Sequence, residues 1–255
     1  MELWSAVWVA LASALAGFMD AVVGGGGLIL IPVLLVSFPG AHPATLFGTN
    51  KSASVWGTAL SGWQYSKRVH LHWHALLPAA LAGAVGAFTG AWLVTFLSTD
   101  LLRRALPLIL LAVLAYTLAK KDLGKEHKPT LSGRAEQAAA IAIGWTIGLY
   151  DGFFGPGTGS FLVFLFVRWL GYDFLSASAH AKVVNVCTNL AALVLFAAKG
   201  HVWWHFTLVM AVANMLGSTV GSYVALKYGS GFVRVFFIIV VGALILKTGA
   251  DAYLR

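Results

Sequence analysis

The chain has 255 residues, of which 59% are hydrophobic and only 10% are charged. A water-soluble domain carries about 25% charged residues, so this composition excludes a protein whose whole surface faces water. The net charge of +8 lies in short segments beside apolar runs, a pattern typical of membrane topology that gives little support to nucleic-acid binding. We therefore predict an all-α polytopic membrane protein.

Apolar segments recur along the chain in two sets, many of them near the roughly 20 residues that a bilayer-spanning helix needs. The segments are 3–23, 28–38, 45–66, 73–98 and 101–119, then 136–154, 159–170, 174–198, 203–226 and 231–254. No basic residue precedes the first and no clear cleavage site follows it, so it is interpreted as a retained helix. The order predicts a first transmembrane repeat at 1–119, a hydrophilic linker at 120–135 and a second repeat at 136–255. The linker is the loop richest in basic residues, which places it in the cytoplasm.

The second set repeats the first at an offset of 131 residues. Asp20 then aligns with Asp151 and Lys51 with Lys182. Polar residues kept in both copies of a duplicated membrane protein are candidates for function, since internal repeats are common in transporters. Further aligned pairs are His70 with His201, His74 with His205, Gly86 with Gly217, Gly90 with Gly221 and Arg103 with Arg234.

A glycine cluster breaks the first element of each repeat, at Gly24–Gly27 and at Gly155–Gly159. In hydrocarbon a broken helix is tolerated where the freed backbone groups line a cavity, and two breaks in register indicate a binding site with helix N-termini that suit an anion. The alternative is a kink or close packing through small residues. Whether the repeats are parallel or inverted depends on whether the short piece after each break completes a span or turns back. The residues placed in the site from the breaks are Gly25, Gly26, Gly157 and Thr158.

Four ionisable side chains lie within apolar segments, at a cost of about 2.5–3.5 kcal/mol each. Asp20 and Asp151 precede the breaks, and Lys51 and Lys182 lie in the following span. The simplest structural interpretation pairs Asp20 with Lys51 and Asp151 with Lys182. The functional interpretation makes the lysines contacts of an anion and one or both aspartates proton carriers, because burial favours a carboxyl group that can take up a proton.

Polar side chains surround both lysines. Lys182, Asn185 and Asn189 follow the spacing of one helical face, and neutral donors beside a lysine suit an oxyanion. The alternative is hydrogen bonding between helices. The predicted solute contacts are Lys51, Lys182, Asn50, Thr49, His180 and Asn185, with His180 also a candidate proton relay.

The histidine-rich segment HLHWH at 70–74 superficially suggests a metal site. Its counterpart HVWWH at 201–205 replaces the middle histidine with Trp203, and both segments lie at the boundary of a span. Anchoring at the membrane interface is therefore favoured over metal binding. No metal and no cofactor are predicted.

Two long motifs in the second half, GLYDGFFGPGTGSFL at 148–162 and SASAHAKVVNVCTNLAAL at 176–193, resemble the sulfite exporter TauE/SafE family, also called the TSUP permeases. GFMDAVVGGGGLILIPVLL at 17–35 and FGTNKSASVWG at 47–57 resemble its first half, so the likeness covers nearly the whole chain. The resemblance implies a multi-pass permease of the bacterial cytoplasmic (inner) membrane. It also implies transport of small sulfur-containing or organic anions, sulfite and sulfonates among them, without ATP hydrolysis.

The combined prediction is a secondary transporter, working as an exporter, that is coupled to protons or to the membrane potential. A passive anion channel remains an alternative, as do an intramembrane enzyme and an assembly partner of another membrane protein. An enzyme is disfavoured because the sequence has neither HExxH nor GxSxG. The expected partners are a small anionic solute and the bilayer, and a homodimer is compatible with the sequence.

Overall fold

The computed structural model describes residues 3–97 and 127–228, together with residues 108, 111–112 and 246. Residues 3–97 and 127–228 form eight α-helices and no strand. The helices are α1 Leu3–Val23, α2 Gly27–Ser37, α3 Pro43–Ser66, α4 Trp73–Val94, α5 Gly133–Phe153, α6 Thr158–Leu170, α7 Phe174–Ala198 and α8 Trp204–Tyr228.

The eight helices begin and end within a few residues of the predicted apolar segments, so the all-α class is confirmed. The α4, α7 and α8 helices each contain a stretch long and apolar enough to cross a membrane. The α2 and α6 helices have 11 and 13 residues. At 1.5 Å per residue they extend only about 16 and 20 Å, roughly half and two thirds of a bilayer core. The predicted segments at 101–119 and 231–254, most of the linker and the pair Arg103 and Arg234 lie outside the described residues.

Local sequence explains where the two central helices begin. Pro43 is the first residue of α3, where its missing N–H costs no hydrogen bond, and the His42 ring accepts a hydrogen bond from the Ala44 nitrogen at 3.2 Å. Asp173 caps α7 by accepting hydrogen bonds from the backbone nitrogen of Ser176 at 2.9 Å and from its hydroxyl at 2.6 Å. These caps fix the register of the helices that carry the two buried lysines.

Glycine surfaces hold each half of the chain against the other half. The α1 helix packs most extensively on α8, and α4 on α5. A Cβ atom at Gly86 would lie 2.8 Å from the Leu149 nitrogen, and one at Gly221 would lie 2.9 Å from the Phe18 Cα. The predicted role of these glycines in helix packing is confirmed, since no larger residue fits between the backbones.

The direction of packing differs between the helix pairs. In α1 and α8 the residue numbers rise together, because Ser13 bonds to the Met210 carbonyl at 2.7 Å and Gly221 meets Phe18. In α3 and α7 they run in opposite directions. Gly48 lies against Phe196, whereas Gly62 lies against Lys182. The equivalent central helices are therefore antiparallel, while α1 and α8 are parallel.

The loops gather at two ends of the helical bundle. The linker end contains residues 67–72, 127–132 and 171–173, because Lys128 donates a backbone hydrogen bond to the Gly171 carbonyl at 2.9 Å and the His72 nitrogen donates to the His180 ring at 3.0 Å. The far end contains residues 38–42 and 199–203, where the rings of His42 and His201 stack with their centroids 5.0 Å apart.

Candidate functional site

The two glycine breaks contact each other in the interior of the protein. Gly24 has a φ angle of +76°, and a Cβ atom added to it would lie 2.5 Å from the Gly159 Cα. The Ser160 hydroxyl donates a hydrogen bond to the Val23 carbonyl at 2.5 Å, which joins the end of α1 to the start of α6. The ends of both broken helices therefore meet at one place.

A small polar cavity lies beside the joined breaks. The space that water molecules can occupy within it is about 20 Å³, roughly enough for one water. Gly26, Gly27 and Thr158, from the first turns of α2 and α6 or just before them, form part of its wall. The N-terminus of a helix carries a partial positive charge that favours an anion, and here the Leu28 and Thr158 nitrogens are bonded to the Gly25 and Gly155 carbonyls. The charged and amide residues of the wall are Asp20, Asp151, Lys51, Asn50, Asn185, Asn189 and Asn214.

A buried ion pair crosses from one half of the chain to the other. The Lys51 Nζ lies 2.6 Å from the Asp151 Oδ2, and the two side chains are only 4% and 3% exposed. The Asp151 Oδ1 accepts a second hydrogen bond from the Thr158 hydroxyl at 2.8 Å. The carboxylate is therefore held by a charge on α3 and by the first residue of α6.

The second lysine also contacts the opposite half. The Lys182 Nζ donates to the backbone carbonyl of Asp20 at 2.8 Å, while the Asp20 carboxylate accepts from the Thr58 hydroxyl at 2.9 Å. The pairing of Asp20 with Lys51 and of Asp151 with Lys182 was wrong. Because α3 and α7 are antiparallel and the halves interlock, each lysine faces the break of the other half.

The two halves of the site are unequal in charge pairing. Asp151 has a direct ammonium partner, whereas the Asp20 carboxylate has no salt bridge within residues 3–97 and 127–228. The residue equivalent to Thr158 in the first half is Gly27, so Asp20 also lacks the hydroxyl that contacts Asp151. The Asp151 carboxylate therefore has both an ammonium and a hydroxyl partner, whereas the Asp20 carboxylate has a hydroxyl partner.

Amide side chains complete the cavity wall. The Asn185 Oδ1 accepts hydrogen bonds from the Thr188 hydroxyl at 3.3 Å and from the Asn189 amide at 3.5 Å. The Asn50 Oδ1 lies 3.5 Å from the Ser54 hydroxyl. These bonds are long, so the predicted contacts Asn50 and Asn185 lie in the wall with amide groups that are weakly held.

Asn214 is a member of the site that the sequence did not single out. Its amide nitrogen donates to the Ser13 carbonyl at 3.0 Å, but its Oδ1 is buried and has no hydrogen-bond partner among the described residues. The aligned residue in the first half is Gly83. A search for residues that both halves share therefore misses Asn214. An amide side chain within an apolar span is by itself an indication of a buried polar contact.

Thr49 and His180, which align at the offset of 131, are not part of this cavity wall. The Thr49 hydroxyl accepts from the Trp203 nitrogen at 3.0 Å and donates to the Thr45 carbonyl at 2.7 Å. The His180 Nε2 accepts from the His72 nitrogen at 3.0 Å, and its Nδ1 lies 2.7 Å from the Ser176 carbonyl. Because both ring nitrogens are bonded to backbone groups, neither is open to a solute in this conformation. The roles of Thr49 and His180 as solute contacts, and of His180 as a proton relay, stay predictions.

The other predicted members lie at the breaks. Gly157 has a φ angle of +83° and precedes the first residue of α6, and the Gly25 carbonyl accepts a hydrogen bond from the Leu28 nitrogen at 3.0 Å. Both residues shape the breaks and lie outside the cavity wall, whereas Gly26 and Thr158 lie in it. The structure therefore brings together Asp20, Asp151, Lys51, Asn50, Asn185, Gly26 and Thr158, with Lys182 in contact with the Asp20 backbone.

The histidine segments tie loops together at both ends of the bundle. At the linker end, the His74 Nε2 lies 2.9 Å from the buried Glu136 carboxylate, which also accepts a hydrogen bond from Tyr172. Burial, the hydrogen bond to Glu136 and its negative charge raise the pKa of Tyr172, so its hydroxyl stays a donor. At the far end, burial and the neighbouring His42 and Lys199 lower the pKa of His201. A neutral His201 can share a hydrogen bond with the Thr45 hydroxyl, 3.0 Å away.

Apolar helices that enclose buried charges between two interlocked halves define an all-helical membrane protein with an internal polar site. Residues 9–248 match the family described as sulfite exporter TauE/SafE. The chain belongs to this family, as its motifs predicted.

Several curated proteins are similar over nearly their whole length. The chain is 36% identical to a "Probable membrane transporter protein ORF9" from Sinorhizobium sp, covering 94% of this chain and 90% of that protein. It is 34% identical to "Probable membrane transporter protein YfcA" from Escherichia coli K12, covering 94% and 87%. A "Probable membrane transporter protein" from Haemophilus influenzae is 36% identical, covering 88% and 86%. No solved structure gives a significant match.

Proposed function

We propose that the chain is a secondary transporter that exports small sulfur-containing or organic anions, such as sulfite or sulfonates, across the cytoplasmic membrane. The observation that carries the proposal is the buried pair of Lys51 and Asp151, which lies in a polar cavity where two broken helices meet. The family description and the transporter names of the relatives support the same class.

The arrangement supports two inverted repeats as the framework of transport. The helices α2, α3 and α4 begin at residues 27, 43 and 73, and α6, α7 and α8 begin at 158, 174 and 204, each 131 positions later. The equivalent helices α3 and α7 are antiparallel. The bonds of Thr49 and His180 are also equivalent, since each side chain links a loop nitrogen to a carbonyl one turn earlier. Repeats of this kind allow one half to rock against the other around a fixed central site.

The distribution of basic residues supports a cytoplasmic linker end. Of the described basic residues outside the interior, only Lys199 lies at the far end. Cytoplasmic loops carry an excess of lysine and arginine, so the linker end faces the cytoplasm and the far end faces outward. The basic residues at the linker end are Lys67, Arg68, Lys128, Arg134, Arg168 and Lys227.

Competition for Lys51 gives the transport step a physical basis. The cavity has room for about one water, so an oxyanion can enter only when Lys51 separates from Asp151. The anion then replaces the carboxylate as the partner of the ammonium group. The membrane potential favours the outward step, because a single negative charge that leaves the cell releases about 2.3 kcal/mol per 100 mV.

A ligand screen on the purified protein tests whether the cavity binds anions. Sulfite, sulfate, thiosulfate, taurine, sulfoacetate and simple carboxylates are compared for the rise they cause in the unfolding temperature. A ligand at a hundred times its Kd is expected to stabilise the folded protein by about 2.7 kcal/mol. Lys182→Met is expected to remove this stabilisation, because the anion loses an ammonium partner beside the Asp20 break. Lys199→Met, at the far end, is the matched control, and an unchanged ligand response in Lys182→Met would remove Lys182 from the site.

The coupling step is tested separately in liposomes with Asp151→Asn. The amide oxygen can still accept a hydrogen bond from Lys51, so we expect anion binding to be kept. We expect the response of flux to an imposed proton gradient to weaken at least tenfold, since an amide does not take up a proton near neutral pH. If the wild-type flux is indifferent to the gradient while following the membrane potential, passive conduction through a channel is the better description. Chemical turnover of the solute by protein in detergent would instead favour an enzyme.

A further inference from the structure

The orientation of the Asn214 amide is fixed by one neighbour. Asn214 lies in α8, is 2% exposed and forms part of the cavity wall. Its amide nitrogen donates to the Ser13 carbonyl of α1 at 3.0 Å. Because a carbonyl only accepts hydrogen bonds, turning the amide around would place two oxygens together, so the nitrogen is the atom that faces Ser13. The Oδ1 atom lies against Gly57 of α3, where a Cβ atom would collide with it.

The Asn214 Oδ1 atom is an acceptor without a donor. It is buried and has no hydrogen-bond partner among the residues that the structure describes. Folded proteins contain only a few such groups, so each one needs a physical reason. The cavity whose wall includes Asn214 has room for about one water. A solute that fills this space binds more tightly when it presents a donor to this oxygen, because a ligand that displaces water without replacing its hydrogen bonds loses affinity.

A second acceptor lies beside the same part of α3. The Asp20 carboxylate accepts a hydrogen bond at 2.9 Å from the hydroxyl of Thr58, the residue after Gly57. The Lys182 ammonium group donates to the backbone carbonyl of Asp20 at 2.8 Å. Lys51 lies on α3 about two turns before Thr58. The wall therefore has two acceptors at one part of α3 and an ammonium group two turns away, which suits a solute with an anionic head and a separate hydrogen-bond donor.

We propose that Asn214 is a specificity-determining residue, which favours sulfonates that carry a hydroxyl or ammonium group over sulfonates that carry neither. The inference rests on the proposed function, because it concerns the solute of the same cavity. The sulfonate oxygens bind Lys51, and the hydroxyl or ammonium group donates to the Asn214 Oδ1. Gly83 aligns with Asn214 in the first half and has no side chain, so this selection acts on one side of the cavity.

The test compares two solutes that differ by one hydroxyl group, isethionate and ethanesulfonate. Their Kd values for the full chain in detergent are measured by titration calorimetry. We expect the wild type to bind isethionate about tenfold more tightly, the gain typical of one hydrogen bond to a buried acceptor. Asn214→Leu has a side chain of similar size without an acceptor. It is expected to reduce the ratio to about one by weakening isethionate, with the Kd of ethanesulfonate changed by less than about twofold.

Ser222→Ala is the matched control. Ser222 lies about two turns after Asn214 on α8, and its hydroxyl is also buried without a partner among the described residues, but it is not part of the cavity wall. We expect this variant to keep the tenfold ratio. Loss of the ratio in Ser222→Ala would show a general effect of packing on α8 and overturn the role of Asn214, as would an unchanged ratio in Asn214→Leu.

The wild-type measurement separates this inference from the proposed function and does not depend on the folding of a variant. Equal Kd values for isethionate and ethanesulfonate would overturn the selection by Asn214 and leave the proposed anion transport intact. If neither sulfonate binds and no other anion of the ligand screen binds either, the proposed function fails, and the inference fails with it.

Discussion

Gly24→Ala is expected to lower the free energy of unfolding by about 3 kcal/mol or more, because two costs add at this residue. The φ angle of Gly24 is +76°, a left-handed conformation that strains any residue with a Cβ atom. The added methyl group would also lie 2.5 Å from the Gly159 Cα and 2.7 Å from the Ser160 nitrogen. These are backbone atoms, which cannot rotate away as a side chain can. The yield of monodisperse protein and its thermal unfolding in detergent measure the loss.

Gly200→Ala separates the two costs. Gly200 has a φ angle of +75°, almost the same as Gly24, but a Cβ atom there would have no atom within 4 Å. We expect only the conformational cost of about 1–2 kcal/mol in this variant. Similar losses in the two variants would contradict the close contact between the breaks. Gly159→Ala reaches the same contact from the other half at a residue without a positive φ angle, so it is expected to show the steric cost alone.

The contact between the breaks also constrains how the protein can move. Each broken helix ends against the break of the other half, and the Ser160 hydroxyl bonds across the junction to the Val23 carbonyl. A shift of α6 relative to α5 would therefore displace the end of α1. The junction lies beside the ion pair of Lys51 and Asp151. Any opening of the cavity that moved one half relative to the other would therefore disturb this junction.

The helices and breaks could be predicted from the sequence because the bilayer fixes the length of an apolar helix. The structure ends α1 at Val23, directly before the predicted glycine cluster, and begins α7 at Phe174 as predicted. The glycine faces were also predictable, because Gly86 and Gly90 lie one helical turn apart and align with Gly217 and Gly221 in the other half. These signals are local, so a single sequence contains them.

The pairing of charges could not be predicted in the same way. An offset of 131 residues aligns Lys51 with Lys182, but it does not show which half of the chain each lysine faces. Lys51 lies 100 positions from Asp151 in the chain, and only the antiparallel packing of α3 and α7 brings them together. Asn214 was not predicted as a site residue for a related reason, since the residue that aligns with it in the first half is Gly83. Comparison of the two halves identifies the residues that they share, but it misses residues such as Asn214 that occur in only one half.

Lys51→Met is expected to be the most damaging single change within the cavity. Removing one partner of a buried ion pair leaves the other charge without compensation, at a cost of about 3–5 kcal/mol. Asp151 would keep only the hydroxyl of Thr158, which does not neutralise a carboxylate. The double variant Lys51→Met/Asp151→Asn removes both charges together. It is expected to recover most of the lost stability, as measured by unfolding in detergent.

A double-mutant cycle distinguishes crossed pairing from pairing within one half. The coupling energy between Lys51 and Asp151 is expected to exceed about 1 kcal/mol, whereas Lys51→Met and Asp20→Asn are expected to be additive within about 0.5 kcal/mol. Strong coupling to Asp20 instead would contradict the ion pair seen at 2.6 Å. The double variant also separates stability from function, because it is expected to fold although it has no ammonium group at residue 51. If it still binds the anion as tightly as the wild type, then Lys51 is a structural partner of Asp151 and the solute is held by other residues of the cavity.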